Sequence, residues 1–185
     1  MRKLHLAAAC AAALVAAAPA AAGIDSGGVV GDAGAPVVVA AAQPLRFIWP
    51  ANGEVTRGFG YDSTMGEHHA GVDIGSLRSL DVHAAAPGTV EKVGYAPGFD
   101  GYGNIVLVDV GDGYETLYAH LSKVEAQPGE LVSTGDLIGE AGSTGLSTGV
   151  HLHFELREDG TAVDPAKLLP GGTPTVPAEF EPTAG

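Results

Sequence analysis

The sequence predicts an all-β fold, a compact antiparallel β-sheet of barrel-sandwich-like character with little helix, and three observations carry that prediction. Between residues 45 and 169 no apolar spacing of three and four residues lasts long enough to make an amphipathic helix. The apolar side chains fall instead into short runs rich in Val, Ile, Leu, Thr and Tyr, types that fit a pleated, half-buried surface. Gly, Asp, Asn and Pro separate the runs, as turns require, and 28 of the 185 residues are glycine. Many short strands turning back on each other make an all-β domain.

Taken in order, the chain opens on Met1-Arg2-Lys3, a cationic start. An alanine-rich apolar run follows from Leu6 to Ala18, and the small residues Pro19-Ala20-Ala21-Ala22-Gly23 close it. These are the parts of a secretory signal over residues 1–22, with cleavage after Ala22 or, nearly as well, after Ala20. The apolar run is too short and too rich in alanine to span a bilayer comfortably. The expectation is an exported protein, in periplasm, cell wall or medium, with no membrane span once mature. Cys10 comes too early for a lipoprotein signal, so it belongs to the leader. The mature chain then has no cysteine, and any metal must sit on His, Asp or Glu.

Residues 23–44 are Gly, Ala and Val with scattered Asp and show neither helical nor strand period, so they form a flexible tether. Phe47-Ile48-Trp49-Pro50 marks the start of the folded domain, residues 45–169. Its clearest strands are Thr89–Val93, Asn104–Val110 and Tyr114–His120. Gly111-Asp112-Gly113 joins the last two as a tight hairpin, because these residues accept positive φ. Val150 to Arg157 alternates strictly, with Val150, Leu152, Phe154 and Leu156 on one face and His151, His153, Glu155 and Arg157 on the other. The tail, residues 170–185, is rich in Pro, Gly and Thr and is expected to be disordered.

The formal charge is −13, and removal of Arg2 and Lys3 with the leader leaves seven basic against 22 acidic residues. Such a chain repels nucleic acid, and no basic cluster makes a local exception. Charge here serves solubility outside the cell.

Chemistry-bearing residues concentrate in a few places. His151 and His153 point the same way with Cα atoms about 6.5–7 Å apart by strand rise. Both imidazoles can then reach one metal, or one can bind metal while the other works on the bound water. His69 and Asp73 lie four apart in a stretch whose glycines argue against helix, so a loop entering a strand turns both inward. Imidazole and carboxylate together suit zinc. Alone, Asp73 would be an ordinary turn-capping carboxylate; its weight comes from the downstream His-x-His pair. His120, on the same strand face as Thr116 and Tyr118, is a candidate proton carrier or transition-state stabiliser.

Two resemblances follow from these motifs. Ala86–Val90 and Gln127–Gly139 resemble the strand-turn-strand units of biotinyl and lipoyl carrier domains, but Lys92, Lys123 and Lys167 do not sit at a carrier hairpin tip. That likeness concerns shape alone. More specifically, His69-Ala-Gly-Val-Asp73-Ile-Gly, Ala86-Pro-Gly-Thr-Val90, Tyr118-Ala-His120-Leu121, Gly129–Gly135 and Gly142–Glu155 resemble the lysostaphin-type, LytM-like zinc metallopeptidases that cut bacterial cell walls. The matches span roughly residues 46–168. The resemblance implies a zinc ion held by His69, Asp73 and His153, with His120 and His151 lining the catalytic site. It also implies peptidoglycan cross-links or stem peptides as substrate. Relatives often carry Arg just after the Gly-Phe-Gly stretch, whereas here Gly58-Phe59-Gly60 runs into Tyr61-Asp62. The rival reading is a silent LytM-like module that regulates another wall hydrolase. Such modules have lost metal ligands; here every ligand position is filled. His68 is expected to face solvent, and His83 is given no role.

Overall fold

The computed structural model describes residues 45–180. The expected leader and tether, residues 1–22 and 23–44, lie outside the described residues. Thirteen short strands and two single-turn 3₁₀ helices make up the rest, so the all-β expectation holds. No described helix is long and apolar enough to cross a membrane.

The strands run β1 Glu54–Arg57, β2 Gly60–Asp62, β3 Glu67–His69, β4 Val72–Gly75, β5 Asp81–His83 and β6 Gly88–Gly94. They continue as β7 Asn104–Gly111, β8 Tyr114–Leu121, β9 Lys123–Val124, β10 Leu131–Val132, β11 Leu137–Glu140, β12 Leu152–Glu158 and β13 Thr161–Val163. The main sheet has the order β1-β4-β12-β8-β7-β6-β10, with β13 beside the far end of β12. A three-stranded sheet, β5-β11-β9, and the β2-β3 hairpin complete the described residues, and the strands pair antiparallel throughout. The β7–β8 turn falls where the glycines put it, with Asp112 at φ 53° between Gly111 and Gly113, both also positive.

β12 sits between β4 and β8 and organises the interior. Its Leu152, Phe154 and Leu156 are buried with Ile74, Tyr118, Val106 and Val108 in the main core. Burying side chains of this size contributes roughly 1.5–3 kcal/mol each. The other face of β12 carries His153, Glu155 and Arg157, as the alternation requires. On that side a second, smaller core of Ile105, Leu107, Leu117 and Ala119 is covered by Ala96, Phe99 and Tyr102 from the loop after β6. Two hydrophobic layers thus clamp the sheet, and the polar end of β12 lies at the edge of the second.

The tail departs from its expected disorder over residues 170–180. The Trp49 indole N–H donates to Pro170 O at 2.9 Å, the Gly53 amide to Pro174 O at 3.2 Å, and the Val176 amide to Asn52 Oδ1 at 2.6 Å. Val176 is buried and Ala178–Phe180 forms a 3₁₀ turn. Composition signals disorder when nothing pays the ordering entropy; here the start of the domain offers an amide, an indole and a side-chain carbonyl to an irregular segment. Residues 181–185 lie outside the described residues.

Candidate metal centre and active site

Backbone register brings the first two residues together. β12 pairs with β4 so that His153 stands opposite Asp73, and directly opposed residues share one face of the sheet. His69 ends β3, at the base of the short hairpin, where its Nδ1 lies 2.8 Å from Gly58 O. A carbonyl can only accept, so Nδ1 carries the proton and Nε2 faces inward. His153 is oriented from its other side: Nε2 lies 3.1 Å from Glu155 Oε1, which leaves Nδ1 turned toward Asp73.

Three acceptors therefore converge. His69 Nε2 is 3.1 Å from His153 Nδ1 and 3.1 Å from Asp73 Oδ1, and His153 Nδ1 is 2.8 Å from the same oxygen. With the proton of each neutral imidazole on its outward nitrogen, Nδ1 of His69 and Nε2 of His153, all three inward atoms can face one cation. Two nitrogens and one carboxylate oxygen form a donor set suited to zinc, with the ligand atoms all within 4.8 Å of one another. Protons can bridge the same atoms in place of a cation. Burial opposes the charge on Asp73, but the His153 and His69 hydrogen bonds outweigh it and hold the carboxyl far below its usual range. Burial likewise opposes a charge on His153, yet Asp73 and Glu155 pull its titration upward.

His120 and His151 join this cluster. Their rings lie tilted at 54° with centroids 4.8 Å apart, and the His120 ring lies 5.8 Å from the His153 ring. Each is anchored through Nδ1 to a backbone carbonyl, His120 to Thr144 O at 2.8 Å and His151 to Gly149 O at 2.9 Å. That leaves Nε2 on each as the available atom, and His151 Nε2 stands 3.6 Å from Asp73 Oδ1. Burial lowers the titration of His120, with the charges of His151 and His153 adding to the effect against its Thr144 bond.

One expectation about β8 needs correction. A regular strand would put His120 with Thr116 and Tyr118, but that face is the main core, where the buried Tyr118 hydroxyl accepts from the Ala85 amide. The site lies on the opposite face, since His153 pairs with Ala119 and Glu155 with Leu117. The ladder with β7 is irregular between Asn104 and Val106, and His120 has φ 61°. This left-handed residue breaks the alternation and keeps His120 with the other imidazoles while Leu121 returns to the core. Positive φ at a non-glycine residue is uncommon and strained.

A groove of about 1070 Å³ runs over the cluster. One wall is the β2–β3 hairpin with Asp62, Met65 and Glu67; the other is formed by residues 100–102 and 145–150. Arg57 braces the first wall, its Nε 3.0 Å from Asp62 Oδ2 and its Nη2 3.0 Å from Glu67 Oε1. The second wall is two loops in backbone contact: Leu146 N donates to Gly101 O at 2.7 Å, and Thr144 Oγ1 accepts from the Asn104 amide at 3.0 Å.

The five residues singled out from the sequence, His69, Asp73, His120, His151 and His153, are thus brought to one place. His68 is exposed, edge-on to Phe59 at 5.2 Å, and lines the groove. His83 lies elsewhere, buried with Nδ1 2.9 Å from Gly135 O. Sequence reasoning missed Arg57, Tyr102 and Glu155. The signal for Glu155 was present, since i and i+2 on a strand share a face; none announced Tyr102.

Comparison with known proteins places this geometry in context. The sequence profile described as peptidase family M23 matches residues 67–165. Outer membrane antigenic lipoprotein B of Haemophilus influenzae is 37% identical over 134 residues, which are 72% of this chain and 32% of that protein. The DD-carboxypeptidase/endopeptidase Mpg of Neisseria meningitidis serogroup B is 42% identical over 100 residues, 54% of this chain and 22% of that protein. Among solved structures, the antimicrobial peptidase lysostaphin from Staphylococcus simulans aligns with a TM-score of 0.59 at 32% identity, covering 75% of this chain and 61% of that one. The chain spans about a third or less of the length of these two curated relatives.

Proposed function

This chain belongs to peptidase family M23, and from that premise we propose that it is an exported, zinc-dependent endopeptidase that hydrolyses peptide cross-links or stem peptides of bacterial peptidoglycan. The observation that carries the proposal is the convergence of His69 Nε2, Asp73 Oδ1 and His153 Nδ1, three atoms able to ligate one metal ion, beside two further imidazoles. Zinc held by these three would supply a Lewis acid and, at its remaining position, a water made acidic near neutral pH. The rest falls to the chain. His151, tethered through Nδ1, offers Nε2 as general base for the attacking water. His120, tethered in the same sense to Thr144 O, offers Nε2 toward the developing oxyanion or the leaving amine. The open groove, walled on both sides, accepts an extended peptide rather than a small enclosed ligand.

The substrate class follows from the family and from Mpg, whose name describes a carboxypeptidase and endopeptidase. Export is supported by the leader-like start and by a relative described as an outer membrane lipoprotein. Metal analysis of the purified protein, paired with release of fragments from purified peptidoglycan with and without a chelator, tests the reading. One zinc per chain and chelator-sensitive release of new amino termini are expected. Bound zinc with no cleavage of any wall type would favour the regulatory module, and no zinc after reconstitution would overturn the metal assignment.

A further inference from the structure

Resting on the metal site just proposed, we infer that Glu155, held by Tyr102 and Arg157, is the positioning residue that fixes the ring and tautomer of His153. Glu155 is 1% exposed, and each of its carboxylate oxygens is engaged. Oε1 accepts from His153 Nε2 at 3.1 Å and from the Tyr102 hydroxyl at 2.5 Å, while Oε2 faces Arg157 Nη1 at 3.5 Å. A buried carboxylate without compensation is costly, and the guanidinium supplies the opposite charge. Arg157 is itself pinned, donating through Nη2 to Gly160 O at 2.9 Å and lying over the Phe99 ring at 5.5 Å.

An internal ion pair between Glu155 and Arg157 would need none of the rest. The additional geometry is directed at one imidazole. When Nδ1 is given to a metal beside Asp73 and His69, the proton of the neutral ring falls on Nε2, where the Glu155 carboxylate is placed to accept it. The Tyr102 ring stands edge-on to His153 at 5.4 Å, which limits rotation of the ring about its hydrogen bond. Tyr102 is delivered by the loop that covers the second core, so that small core reaches the site through a single hydroxyl. Carboxylate–histidine pairs of this kind orient a ligand and raise its basicity, and their loss typically costs about 10–100-fold in metal affinity.

The test measures zinc affinity by competition with a chromophoric chelator, alongside the thermal midpoint and far-UV spectrum of the metal-free protein. Glu155→Gln, which keeps shape and one acceptor but removes the charge, is expected to bind zinc about 10–100-fold more weakly, with an altered absorption spectrum of the cobalt-loaded protein. A merely structural role would lower the metal-free midpoint and leave the affinity unchanged; that result overturns the inference. Should Glu155→Gln fail to fold, Tyr102→Phe removes only the hydroxyl and must weaken zinc in the same direction, with unchanged affinity again overturning it. A wild type that takes up no zinc would fail the metal site itself, a different outcome from a Glu155 variant that binds as tightly as wild type.

Discussion

At the scale of single residues, the two groups of imidazoles make separable predictions. Loss of His69 or Asp73 removes one of three converging acceptors, so His69→Ala and Asp73→Ala should each abolish zinc retention and peptidoglycan cleavage together. His151→Ala should keep the metal and lose turnover by about 10²–10⁴-fold, the usual range for a general base. Elemental analysis and fragment release on the same samples separate the two classes, and a His151 variant of full activity would refute its assigned role. These residues were legible because metal chemistry uses few side-chain types and Cys10 is the one thiol in the sequence. Same-face spacing could not divide His151 from His153; the family resemblance did that. In space the division has a visible correlate, since His153 Nδ1 is 2.8 Å from Asp73 Oδ1 and His151 Nε2 is 3.6 Å away. The orientation of His120 was illegible, because a left-handed residue inside a strand run leaves no mark in the apolar pattern.

Elements carry the next set of effects. Period-two alternation identified β12 and the flanking glycines identified the β7–β8 hairpin, both local signals. The contact between the loops at 98–103 and 143–149 is non-local and left no periodic trace. Gly145 has φ 72°, and a Cβ there would meet Gly101 O and Gly103 N at 2.4 Å. Gly145→Ala should therefore destabilise the fold by about 1–3 kcal/mol through backbone strain alone. It should also reduce turnover by disturbing Thr144, whose carbonyl anchors His120; thermal melts and kcat read the two effects. The β2–β3 hairpin has its own signature in acid. Thr64 hydroxyl and amide bonds, chiefly, hold the Asp62 carboxyl down to about 2, below its ordinary value of 3.8. Its contribution is thus complete above the ordinary value and is lost as pH falls through about 2. The Thr64 amide resonance should titrate with that midpoint, and Asp62→Asn should abolish the transition; a midpoint near the ordinary value would contradict the assignment.

For the whole molecule, turns and short apolar runs made the class of fold legible, whereas composition left the contacts of residues 170–180 unseen. Low-complexity composition describes a segment in isolation, whereas Trp49, Asn52 and Gly53 supply it with partners more than a hundred residues away. Truncation after Leu169 should strip the Trp49 indole of its acceptor and expose the surface that Val176 covers, and so lower the thermal midpoint without removing any residue of the groove. An unchanged midpoint would mean that the segment adds nothing to stability. The two groove walls differ in kind. One is backbone locked against backbone through glycines, and the other is a short hairpin braced by a single arginine between two acids, one of them well exposed. A bound peptide would lose its own freedom but demand no ordering from the loop wall, so the entropic penalty of recognition and the tolerance for varied side chains both belong to the hairpin. Changes in what the groove accepts are therefore most readily made in residues 61–68, which precede the metal-site His69 and can vary without shifting His120 or His151.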